Sequence, residues 1–156
     1  MTISFLLLRL SLAWVFLWAF FDKIFGLGFS TKPAMSWLLG HSPTTGYLKM
    51  ATTGPLKTVF SSLSGMAWVD WLFMLGILCL GLALLFGVAR KLTAYAGTLF
   101  LLLMWASAFP PKTNPVIDEH IVYIFILWVL LYAKDQKWTL NNWWTKNISK
   151  KLPILE

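Results

Sequence analysis

The stretch DWLFMLGILCLGLALLFGVAR, residues 70–90, holds nineteen uncharged residues between Asp70 and Arg90. As a helix rising 1.5 Å per residue they extend about 29 Å, the thickness of a bilayer's hydrocarbon layer at about 30 Å. The reading is a membrane span over residues 66–89. Three other apolar runs, residues 3–21, 92–109 and 116–133, reach or approach the same length. Composition agrees: of 156 residues, 58% are hydrophobic and 12% charged, with a mean hydropathy of +0.71. A soluble domain carries roughly a quarter charged residues, and a disordered chain could not hold 17% aromatics. The chain therefore reads as all-α, an integral membrane four-helix bundle over residues 1–137 followed by an amphipathic cytoplasmic tail over 138–156. Four spans with short links leave no room for a second folded domain.

The net charge of +7 does not mark a nucleic-acid binder. The basic residues edge the apolar runs and do not line one face, which fits anchoring and topology. Arg90 and Lys91 link spans two and three, and Lys134, Lys137, Lys146, Lys150 and Lys151 follow span four. By the positive-inside rule both termini lie in the cytoplasm of a multi-pass protein of the cell membrane. The first run lacks a basic leader and a small-residue exit, so it reads as an anchor that stays attached. With a single cysteine, Cys79, the chain has no internal disulfide or CxxC motif. Cys79 is expected to pack as a small hydrophobe.

The first outer loop is not slack. Pro55, Leu56, Val59, Phe60 and Leu63 have the spacing of a short amphipathic helix, and residues 33–39, closed by Gly40, suit another helical piece before the turn-rich HSPTTG. Both would lie on the outer surface, with the form of a lid. In the tail Leu140, Trp143, Trp144 and Ile148 share one helical face, which suits a helix lying at the inner headgroups. Gly76, Gly81 and Gly87 permit close helix contacts but their spacing makes no GxxxG face. Homo-oligomers are compatible with this pattern and not required by it.

The interrupting charges carry the functional reading. Twelve uncharged residues separate Arg9 from Asp22, about 18 Å of helix, and thirteen residues from Ile121 to Ala133 give about 20 Å. Both runs are shorter than the hydrocarbon layer, so Arg9 or Asp22, and Asp118, Glu119 and His120, are drawn toward it. In the assigned topology Asp22, Lys23, Asp70, Asp118, Glu119 and His120 gather at the outer end. Charged groups in lipid face the bundle interior or a wet cavity, since exposure to acyl chains costs roughly 2.5 to 3.5 kcal/mol each. A polar pocket near the outer surface is expected there, with Arg9, Asp22, Lys23 and Asp70 as ligand-binding candidates. Asp118, Glu119 and His120 are the catalytic candidates, because a histidine beside carboxylates exchanges protons near neutral pH. The same triplet also has the composition of a helix N-terminus, and Arg9 that of a residue snorkelling to inner headgroups. His41 lies in a turn-rich loop, and with two histidines no haem, metal or flavin is expected. Trp68, Trp71, Trp138, Trp143 and Trp144 fall near span ends, as an aromatic belt would place them.

Arg9 in the first span, FDKIFGLGF at residues 21–29, SPTTG at 42–46 and FPPKTNPVIDEHIVY at 109–123 together resemble the DoxX family, in its DoxD type. The likeness runs to about Ala133. It implies a four-helix membrane bundle serving as the membrane subunit of a thiosulfate:quinone oxidoreductase, which joins thiosulfates into tetrathionate with a quinone as acceptor. It also implies a separate DoxA-like or other redox partner subunit, since residues after span four are too few for one. The alternative from another class is a nonenzymatic component, either docking a soluble redox or stress-response enzyme or carrying a small solute.

Overall fold

The computed structural model describes residues 2–111, 114–133 and 138–150. Among them every regular element is helical. Four long helices carry the fold: α1 (Thr2–Phe25), and, after two short loop helices α2 (Thr45–Met50) and α3 (Lys57–Ser62), α4 (Ala67–Phe86), α5 (Arg90–Ser107) and α6 (Glu119–Tyr132). The short helix α7 (Asn141–Trp144) continues into a π-helical turn at Thr145–Ser149. Residues 33–39 form two 3₁₀ turns, Pro33–Met35 and Trp37–Leu39, closed by Gly40 in the left-handed region.

The long helices pack in a closed ring, α1 on α4, α4 on α5, α5 on α6 and α6 on α1. Neighbours run antiparallel. Leu17 of α1 meets Gly81 while Arg9 meets Gly87, and along α5 and α6 Thr98 bonds Trp128 while Arg90 reaches the Ala133 carbonyl. The interior is apolar: Leu12, Ala13, Phe16, Met74, Ile77, Leu80, Leu84, Leu101, Ile124, Leu127 and Leu130 are buried together. The widest interface, α1 on α4, depends on Gly81. A Cβ there would lie 2.7 Å from Leu17 Cγ, so any larger residue forces the two helices apart.

Two helices, Ile3–Phe25 and Ala67–Phe86, are long and apolar enough to cross a membrane. Only 28% and 33% of these stretches are buried in the bundle. The core helix of a soluble protein would be mostly covered. The other two long helices fall short of that standard, one opening with Arg90 and Lys91 and the other having 14 residues, about 21 Å of rise. Their outward faces are nonetheless apolar, with Leu99, Leu103, Val122, Phe125 and Val129 exposed.

Local chemistry accounts for the helix ends. Asp118 caps α6, its carboxylate accepting from the backbone N–H of His120 and Ile121. Just before it, Asn114 Oδ1 accepts from the amides of Val116 and Ile117, a turn that re-aims the chain into the helix. At the end of α4, Gly87 adopts φ 63°. A side chain at Gly87 would collide with the Arg9 guanidinium and with Thr139, so the turn and the tail both require glycine there. Leu140 N–H then bonds the Phe86 carbonyl, stitching the tail onto the same end of the bundle. Cys79 is exposed on α4 and not packed inside. Lys112, Lys134, Asp135, Lys137 and Lys151 lie outside the described residues.

Candidate functional site

Of the acidic residues expected to line a shared pocket, Asp22 and Asp70 are satisfied by neighbouring loops and Asp118 by the first turn of its own helix. Asp22, 1% exposed near the end of α1, accepts from the amides of Phe29, Ser30 and Thr31 at 3.2, 3.0 and 2.8 Å and from the Ser30 hydroxyl at 2.6 Å. The FDKIFGLGF segment thus folds its glycine-containing turn back onto its own carboxylate. Asp70, in the first turn of α4, accepts from the hydroxyls of Ser42 and Thr44 at 2.8 and 2.5 Å, so the SPTTG turn docks on it. Asp118 caps α6 and also accepts or shares a proton with His120 Nδ1 at 2.8 Å. All three side chains are shielded from open solvent, but among the described residues no hydrogen bond joins one of them to another.

Asp118, Glu119 and His120 do stay together, with ligating atoms within 4.8 Å of one another. Asp118 and His120 are half-buried and Glu119 is exposed. The set could hold a proton or a cation. Its capping bonds are those of an ordinary helix start.

Arg9 lies at the opposite end. It is 2% exposed, and its Nη2 donates to the Trp138 carbonyl at 2.8 Å. It does not snorkel. The void beside it, bounded by Leu84, Gly87, Thr93 and Leu130, holds about 20 Å³, room for a water and not for an organic ligand. The structure therefore separates Arg9 from Asp22, Lys23 and Asp70, the three candidates at the other end of the bundle.

What the Lys23 end of the bundle does contain is an apolar cavity of about 290 Å³ between α4, α5 and the first loop. Its floor is the tilted pair Phe73 and Phe100, with ring centroids 5.6 Å apart. Phe60 and Leu63 of the α3 segment close it from outside. Lys23 is the one predicted site residue that lines it, its Nζ 5.8 Å from the Phe73 ring centroid. Of the lysines at this end, Lys32, Lys49 and Lys57 are exposed, and Lys23, in the last turn of α1, is half-buried. Thr44, Tyr47 and Ser107 supply the hydroxyls of the lining. The cavity does not include Asp118, Glu119 or His120.

Sequence reasoning missed Tyr47, Phe100, Met104 and Ser107. Phe100, Met104 and Ser107 share one face of α5 at spacings of four and three, a signal the sequence does carry, whereas Tyr47 of α2 joins them only through loop geometry. Phe60 and Leu63 were legible as one apolar helix face, and Trp68 as an aromatic at a span end. Their common orientation toward one void was not.

An all-helical bundle with two apolar helices of membrane-crossing length, and an apolar cavity carrying one ammonium group, is the class that fold and site define. Compared with known proteins, the chain matches no family model, no curated protein and no solved structure.

Proposed function

We propose that this chain is a DoxX-like integral membrane protein, the membrane subunit of a quinone-linked redox system that oxidises thiosulfate to tetrathionate. The observation that carries the reading is the 290 Å³ outer-end cavity, apolar except for Lys23 and three hydroxyl-bearing residues. Ligand sites of this kind combine apolar walls with a few placed polar groups. A quinone ring is apolar on its faces and accepts hydrogen bonds only at its carbonyl oxygens, and the Lys23 ammonium is a charge-assisted donor for one of them.

The bundle is read as four spans with both termini on the cytoplasmic side. Support comes from the antiparallel ring, which puts Arg90, Lys91 and the basic tail at one end, and from the apolar outward faces of all four helices. The reaction balances as two thiosulfates and one quinone, with two protons, giving tetrathionate and quinol. Two electrons leave the paired sulfurs as their S–S bond forms, and the two quinone oxygens take up the protons. Asp118 and His120, hydrogen-bonded at 2.8 Å at the same end as the cavity but outside its lining, are assigned to relaying protons toward it and not to contact with the quinone. Thiosulfate is to be oxidised with a separate partner subunit.

The test is reconstitution into liposomes with a thiosulfate-oxidising partner, following quinone reduction by absorbance. Thiosulfate-dependent reduction is expected, with His120→Ala slower by about one to two orders of magnitude. A rate no faster than that of His120→Ala would remove the reading.

A further inference from the structure

The walls of the cavity include residues that are also on the outer surface of the bundle. Leu72 of α4 is 63% exposed and Leu103 of α5 is 51% exposed, yet both line the void, as does Trp68 at 58%. The cavity therefore opens sideways, between α4 and α5, onto an apolar face. An occupant entering there comes from lipid, with its apolar body lying between the two helices.

The hydrogen-bonding capacity left on the lining defines the head of that occupant. A hydroxyl has one hydrogen to give. That of Ser107 goes to the Met104 carbonyl at 2.6 Å, which makes Tyr47 the donor in its 2.9 Å bond to Ser107 Oγ. That of Thr44 goes to Asp70. Lys23 has no hydrogen bond or ion pair to a described residue; Asp22 beside it attracts it electrostatically, but the Asp22 oxygens are taken by Phe29, Ser30 and Thr31. The donors still available are the Lys23 ammonium and the Trp68 indole N–H; the hydroxyl oxygens of Thr44, Tyr47 and Ser107 keep lone pairs, so the one charge on the lining, the Lys23 cation, decides the head.

We infer that the cavity binds an amphiphile whose head presents an acceptor oxygen, taken from the membrane through the α4–α5 opening and held by Lys23. A carboxylate and a quinone carbonyl share this chemistry. An amine or ammonium head is excluded, because it would meet a like charge in an apolar enclosure. The inference rests on reading this cavity as the ligand site, and it names what the site takes whether or not the chain takes part in redox turnover.

The test uses the full chain in nanodiscs with a long-chain carboxylate bearing a diazirine on its tail, the labelled peptides being mapped by mass spectrometry. Labelling is expected on the peptides that carry Leu72 and Leu103. Lys23→Gln should reduce it by about tenfold or more, while Lys23→Arg retains it. Leu103→Trp, which leaves Lys23 intact and narrows the opening, should reduce it as well. Helical circular dichroism and the thermal midpoint show which variants remain folded. Labelling elsewhere, or undiminished in folded Lys23→Gln and Leu103→Trp, overturns the inference, as does equal competition by an amine of the same chain length. Competition by a short-tailed quinone supports both this inference and the redox reading. Competition by carboxylates without quinone supports the amphiphile site and removes the quinone from it.

Discussion

Asp22 shows how a buried carboxylate can be structural where its charge suggested a binding role. Four donors from residues 29–31 converge on it. Bonds to a charged acceptor contribute more than neutral ones, and removing the acceptor orphans the amides. Asp22→Ala should lower stability by about 3 kcal/mol, measured by denaturant unfolding in detergent micelles, and Asp22→Asn by less, since one amide oxygen still accepts. Asp118→Ala, which removes the cap of α6, should lose about 1 kcal/mol in the same measurement. That these residues would be shielded was legible from hydropathy and span length. Their partners were not, because Phe29, Ser30 and Thr31 offer backbone amides that carry no residue-type signal. Lys23 was legible as a candidate through its position at a span end, but that the Asp22 oxygens beside it are taken up by residues 29–31 follows from how the loops fold.

At the scale of elements, the four long helices follow their unbroken apolar runs and the α3 segment its periodic spacing, because run length, spacing and the turn residues around them act locally. Helix α2 did not stand out, since Thr45–Met50 follows a stretch rich in turn formers and contains a glycine. The pairing of helices was not legible either. Gly81 lacks a partner glycine at the usual spacing, yet it is the point where Leu17 enters α4. Gly81→Val should destabilise the bundle by about 2 kcal/mol, read as a lowered thermal midpoint in detergent, because the helices cannot close over the added methyls.

For the whole molecule, one end holds Arg9, Gly87, Arg90 and the tail, and the other the loops built on Asp22, Asp70 and Asp118. If this chain crosses the membrane as proposed, the ends lie on opposite sides. In a Cys79→Ser background, His41→Cys in intact cells should react with a membrane-impermeant maleimide and Lys91→Cys should react only after lysis. Labelling of both, or in the opposite order, would reverse or remove the assigned topology. The end-to-end separation of charge was legible from lysine and arginine placement, whereas the side-opening void needed three-dimensional packing. The Arg9 bond to the Trp138 carbonyl joins residues 129 positions apart. Synthesis must therefore reach the tail before the first helix can acquire this partner, so nascent chains that stall ahead of Trp138 should be open at the Arg9 end and be the ones quality-control proteases clear.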